Sequence, residues 1–226
     1  MRDTPASTIR AKLWDGPTRI IHWALVALVA FAWWSAETHH MDWHRLAGFS
    51  VIGLVVFRLV WGFCGSGTAR FSSFVRGPRA TLAYLRTLPL RAHAATPGHN
   101  PLGAISVLAI LGVLTLQVVT GLFAVDVDGL ESGPMSDRVD FDTGRAFAAV
   151  HHLSFTAMQV LIALHVAAVI FYAVYKRADL VRPMVTGRGK FTADPGVDFA
   201  PIWRALLVAV VAGFLAWAAS KGFRFP

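Results

Sequence analysis

A chain of 226 residues that is 55% hydrophobic and 15% charged, with a mean hydropathy of +0.54, is too apolar for an ordinary soluble domain and belongs in a membrane. Its net charge of +8 is carried by segments flanking apolar runs, which is the pattern of membrane topology and lipid contact and excludes a nucleic-acid footprint. A single cysteine, Cys64, excludes an internal disulfide, a CxxCH haem attachment and a cysteine-held cluster.

Five apolar runs approach or exceed the roughly 20 residues that cross a hydrocarbon core of about 30 Å: 20–36, 46–63, 102–125, 147–175 and 202–220. None alternates apolar and polar residues as a barrel strand does, and backbone groups in lipid have to be satisfied within their own segment. The expected fold class is therefore an all-α integral membrane protein. Its parts are a polar segment 1–19, a four-helix core 20–175, a basic linker 176–201 and a fifth helix 202–220. The first run follows Arg10, Lys12 and Arg19 as a signal peptide would, but Trp33, Trp34 and SAETHH make a poor cleavage site, so it is expected to stay as a helix.

In chain order, LWDGPTRIIHW opens the first helix, with Asp15 as its expected cap and Pro17 in its first turn, and His22 enters the membrane. The loop SAETHHMDW holds His39 and His40, read as solvated, and leads to His44 at the head of the second helix. Arg58 lies fourteen residues on, close to four helical turns, and shares the His44 face. A buried arginine calls for an anion; the alternative is snorkelling to the nearby interface. Residues 65–100 are polar, with ATLAYLRTLPLR as a short interfacial helix. His93 and His99 are taken as surface residues, although His99, in PGHNPLG, has the reach to approach a cofactor edge.

The third run carries no histidine, and Gly103, Gly112 and Gly121 recur on alternating faces, allowing close approach of a helix or a flat macrocycle. Asp126, Asp128, Glu131, Asp137, Asp140 and Asp142 make the next loop acidic, either a docking surface for a basic soluble partner or an ordinary solvated loop. The fourth run places His151 and His165 on one face about 21 Å apart, whereas His152 falls on the opposite side. The basic segment KRADLVRPMVTGRGK precedes the fifth helix, which reads as a packing or partner-contact element.

The bases before the first run, after the second and after the fourth outnumber those on the other side, so the positive-inside rule places the N-terminus in the cytoplasm and the C-terminus on the opposite side. Depth then pairs His22 with His165 on the inner side and His44 with His151 on the outer. Each pair has the makings of a clamp for one haem iron between two imidazoles, with Arg58 level with the inner site and suited to a haem propionate. Zinc fits poorly, since it needs more ligands at one depth; a proton relay of histidines stays open. One mismatch is visible: His22 is three residues from Arg19, while His165 is eleven from Lys176.

LWDGPTRIIHW, FRLVWGFCG followed by ARFSSFVRGP, GHNPLGAISVLAILGVLTLQVVTGLFA, and HHLSFTAMQVLIALHVAAVIFY followed by LVRPMVTG together resemble the bacterial cytochrome b561 family, which includes the cytochrome b subunits of nickel-iron hydrogenases. The resemblance spans roughly residues 12–187. It implies four helices holding two b-type haems through histidines on helices one, two and four, at the positions of His22, His44, His151 and His165; the fifth helix goes beyond that core. The expected function is a membrane dihaem b-type cytochrome passing electrons across the bilayer. Its expected partners are a periplasmic c-type cytochrome or other redox protein and a quinone or second membrane redox component, with the chain acting alone or as a subunit. The rivals are a self-sufficient superoxide or quinol oxidoreductase and a cofactor-free transporter or assembly subunit.

Overall fold

The computed structural model describes residues 8–91, 97–128 and 131–224; Arg2 and His93 lie outside them. Five helices are long and apolar enough to cross a membrane: α1 (Gly16–Glu37), α2 (Met41–Cys64), α5 (Pro101–Phe123), α6 (Phe141–Val174) and α8 (Ile202–Ser220). Between them lie three short helices, α3 (Phe71–Phe74), α4 (Pro78–Thr87) and α7 (Val181–Thr186). Two strands, β1 (Ile9–Lys12) and β2 (Arg188–Phe191), pair antiparallel.

The starts of the helices follow their sequences. The Asp15 carboxylate accepts the Thr18 N–H at 2.7 Å with Pro17 in the first turn of α1. Asn100 accepts the Gly103 N–H ahead of Pro101 in α5, and Asp140 accepts both the backbone N–H and the hydroxyl of Thr143 at the head of α6. Those bonds hold the exposed Asp140 carboxyl below its ordinary pKa. A capped start lets a mainly apolar helix begin where the chain enters lipid.

The packing divides the spanning helices into two groups. α2 packs on α1 along one side and on α8 along another, α6 packs chiefly on α5, and α2 meets α5 more lightly. α1 and α2 therefore face α6 across a slot. Met158 of α6 bridges that slot at mid-height. It is 1% exposed and packs with Val51 and Val55 of α2, Leu114 of α5, and the neighbouring Leu25, Leu28 and Val29 of α1.

The apolar run expected from residue 147 starts six residues late, because α6 begins at Phe141. At 34 residues it is about 51 Å long and protrudes beyond a hydrocarbon core of about 30 Å. At the other end, Lys176 is buried, its ammonium donating to the Thr87 carbonyl at 3.0 Å and to that of Leu90. This cation sits just past the C-terminal end of α4, where it complements the helix dipole. The Tyr84 hydroxyl on α4 meets that of Tyr172 on α6 at 2.5 Å, and Asn100 donates to Tyr172 at 3.0 Å. Burial, then this contact, raises the Tyr84 pKa.

The polar segment before α1 and the basic linker after α6 meet in the β1–β2 ribbon. Leu13 and Trp14 donate to the Gly187 carbonyl, and Leu13, Trp14 and Phe191 form a small apolar cluster beneath the β1–β2 ribbon.

Candidate haem-binding slot

Four of the sequence-selected histidines, on α1, α2 and α6, stand across the slot as two pairs, the His151 ring lying against α5 as well. The His22 and His165 rings lie 6.5 Å apart between centroids, inclined at 53°. Those of His44 and His151 are 6.2 Å apart at 81°. Two metal–nitrogen bonds of about 2 Å, with each ring centre about 1.2 Å behind its nitrogen, set facing imidazoles about 6.4 Å apart. The separations thus fit two rings ligating one metal in each pair.

The two levels are held apart by a seven-residue rhythm. His151, Met158 and His165 follow one another on α6, and His44, Val51 and Arg58 on α2, each two turns apart and on one face. The polar side chains occupy the ends of the slot and the buried Met158 and Val51 its middle. Despite their unequal distances from Arg19 and Lys176, His22 and His165 stand side by side, and Lys176 is a buried cap of α4.

At the His44 level, backbone carbonyls fix the imidazoles. The Nδ1–H of His44 donates to the Ala32 carbonyl at 2.9 Å, and that of His151 to the Gln117 carbonyl at 2.9 Å. A carbonyl only accepts, so both rings carry their proton on Nδ1, which leaves the lone pair on Nε2; that of His44 has no hydrogen-bond donor against it, and that of His151 takes one from α5 that a metal would have to displace. The Gln117 amide donates to His151 Nε2 at 2.9 Å, while the Ser154 hydroxyl donates to Gln117 Oε1. Gly121 lets α5 approach this ring: a Cβ there would stand 2.9 Å from His151 Cε1 and 3.2 Å from its Nδ1. Of the two neighbours open to the α5 glycines, a helix is the one at Gly121, through His151 of α6; Gly112 has open space around it.

The His22 level is the polar end. Among the described residues, the buried side-chain atoms without a hydrogen-bond partner are Thr18 Oγ1, Arg19 Nε, His22 Nδ1, Arg58 Nη1 and His99 Nδ1, all at this end. Arg58 is 7% exposed with its guanidinium over the Phe71 ring at 5.1 Å, so it is buried and does not snorkel to water.

His99 departs from its expected surface position. The loop before α5 folds its ring between Trp14 and Phe74, at 4.8 and 4.7 Å between centroids. Burial pushes its pKa down to about 3, with the charges of Arg58, His165 and His22 adding to the effect. It is a neutral ring at physiological pH. Its only sequence signal is its neighbourhood, GHNPLG, at the start of an apolar helix.

His152 is exposed, 6.3 Å from the His151 ring and outside the pairs. His39 and His40 are exposed; the latter stacks on Trp34 and its Nδ1 lies 3.0 Å from the Thr38 hydroxyl. Among the described residues no three His, Cys, Asp or Glu side chains gather as a metal cage.

A bundle of membrane-length helices with two pairs of facing histidines is an arrangement suited to holding haem. The family model for prokaryotic cytochrome b561 matches residues 13–187, and the chain belongs to that family. It is accordingly a membrane b-type cytochrome that binds haem b and takes part in electron transfer. No curated protein and no solved structure matches the chain. The family match begins inside the segment expected to precede the core and ends inside the basic linker; α8 lies beyond it.

Proposed function

We propose that the chain is a dihaem cytochrome, with His22 and His165 as axial ligands of one haem b and His44 and His151 of the other. The observation that carries this reading is the pair of ring separations, 6.5 and 6.2 Å, at levels about 21 Å apart by helix rise. Haem held by two imidazoles supplies one-electron chemistry and has no open axial position for oxygen. The protein's part is orientation: the Ala32 and Gln117 carbonyls hold the outer ligands in one tautomer, and the Met158 layer keeps the two sites apart. Arg58, buried with Nη1 unpartnered, and the neutral ring of His99 offer hydrogen-bond donors to a propionate at the His22 level.

The chain would then carry electrons between a periplasmic redox protein, such as a c-type cytochrome, and a quinone or other membrane component, with its N-terminus in the cytoplasm. Not all of the acidic loop is free for such a partner. Asp137 pairs with Arg224 and Asp140 caps α6, leaving Asp126, Asp128, Glu131 and Asp142 as the exposed or half-buried acids for docking.

Proteoliposomes containing the full chain, with ferricyanide trapped inside and an impermeant reductant outside, test the reading. The trapped oxidant is expected to be reduced at a rate that depends on the protein and is lost in His151→Ala. Equal rates with and without protein would remove electron transfer across the bilayer from the account.

Gly121→Leu tests the outer site. A side chain at 121 meets the His151 ring, so overpacking of about 1–3 kcal/mol is expected. The expected result is a lower melting temperature and selective loss of one b-type component from the reduced spectrum. An unaltered spectrum and melting curve would contradict the close approach.

A further inference from the structure

At the end of the molecule where α1 and α8 begin, a crevice of about 460 Å³ opens between those helices, the turn after α7 and the β1–β2 ribbon. Three cations line it, Lys12, Arg19 and Arg188, with one carboxylate, Asp15. Both Asp15 oxygens are engaged, Oδ1 by the Thr18 N–H and Oδ2 by the Trp61 indole at 3.0 Å. Among the described residues none of the three cations forms an ion pair, and Arg19 Nε is buried without a hydrogen-bond partner. Gly187, at φ +77°, makes room for the Arg19 guanidinium: a Cβ there would lie within 2.4 Å of Nη1.

The ribbon adds a second, independent observation. Its register sets Lys12 directly opposite Arg188 and Arg10 directly opposite Lys190. Residues directly opposite share a face, as do alternate residues along a strand, so all four cations stand on one face. Like charges across a ladder weaken it, and a two-stranded ribbon is marginal by itself. An anion between Lys12 and Arg188 would turn that repulsion into attraction.

α8 supplies a third. Its N-cap is Pro201, no side chain caps its first turn and no acid occupies it, so its open N–H groups carry the positive end of the helix dipole. Ile202 brings that terminus to the crevice wall. Apart from Thr186, whose hydroxyl donates to the Arg182 carbonyl, the rest of the wall is chiefly apolar, through Pro17, Phe199 and Ala205. It continues along α8 through the exposed Trp203 and Leu206. A free phosphate ion makes no use of such a surface; a lipid does.

We propose that this crevice binds the phosphate headgroup of an anionic phospholipid, held by Lys12, Arg19 and Arg188, with its acyl chains lying along α8. The bound lipid ties the ribbon, and with it the two segments on either side of the helical core, to the membrane surface.

The full chain, stripped of lipid in a neutral detergent, is titrated with short-chain phosphatidylglycerol, short-chain phosphatidylcholine and inorganic phosphate, reading bound ligand by native mass spectrometry and the shift in melting temperature. Phosphatidylglycerol is expected to bind at least about tenfold tighter than phosphatidylcholine. Lys12→Gln/Arg188→Gln is expected to abolish that preference and Lys12→Arg/Arg188→Lys to keep it, as does Arg79→Gln/Arg86→Gln on α4. Because the glutamine pair also removes like-charge repulsion, it is expected to melt no lower than the parent in lipid-free detergent. An undiminished preference in the glutamine pair overturns the site, and a marked drop in its lipid-free melting temperature overturns the repulsion that argues for it. Inorganic phosphate stabilising the parent as strongly as phosphatidylglycerol overturns the lipid assignment.

Discussion

His165→Ala is expected to leave a folded protein that retains half of its haem b, the half held at the His44 level. The expectation follows from the slot: the His22 and His165 rings face each other 6.5 Å apart at one end, and the buried layer of Met158, Val51, Val55 and Leu114 separates them from the other pair. Removing one ring leaves His22 as a lone ligand without disturbing that layer. His151→Ala is expected to remove the other half, through the His44 level, where Gln117 and Thr120 surround the ring. Potentiometric titration of each variant should therefore show one b-type component in place of two, and the component that survives should differ between them. Retention of the full haem content in both variants would reject the pairing.

Arg58→Leu is expected to weaken haem binding at the His22 level while leaving the His44 level intact. The guanidinium is buried over Phe71 with Nη1 unpartnered, and a charge-assisted hydrogen bond from it to a propionate is worth about 2–3 kcal/mol. Its loss corresponds to roughly 30- to 150-fold weaker retention of that haem. The midpoint potential of the same component is expected to fall, because reduction adds an electron that a nearby cation stabilises. Haem-transfer kinetics to an apo-globin acceptor, read alongside the redox titration, check both effects. Arg58→Lys keeps the charge without the forked geometry and is expected to retain most of the potential but less of the affinity. If the leucine variant changed neither quantity, Arg58 would serve packing alone.

The parts of this architecture that the sequence discloses are those written in short-range patterns. Apolar runs long enough to span lipid give the five helices, Asp15 and Pro17 give the start of α1, and fourteen-residue spacings put His151 with His165 and His44 with Arg58. The boundary of α6 escaped because Asp142, Thr143 and Arg145 interrupt the apolar run, although the Asp140 cap and the helix continue through them. The β1–β2 ribbon escaped for a different reason. Its strands are four residues each, basic in alternation, and more than 170 residues apart. No local periodicity announces such a pair.

The burial of His99 and Lys176 is a tertiary outcome as well. A histidine in a polar loop and a lysine after an apolar helix both look solvated until the Trp14–Phe74 cleft and the end of α4 are brought to them. Two further signals lie within reach of the sequence. The residue midway between His151 and His165 is Met158, and the one midway between His44 and Arg58 is Val51; both mark the apolar layer that divides the slot. Gln117, the lone amide in an otherwise apolar helix, marks the ring it holds.

The most direct test of the dihaem account is the haem b content of the purified full chain, measured by pyridine haemochrome against protein concentration from amino-acid analysis. Two haem b per chain, both low-spin as two imidazole ligands require, is the expected result. A ratio near one, or a high-spin signal from half of the haem, would contradict it.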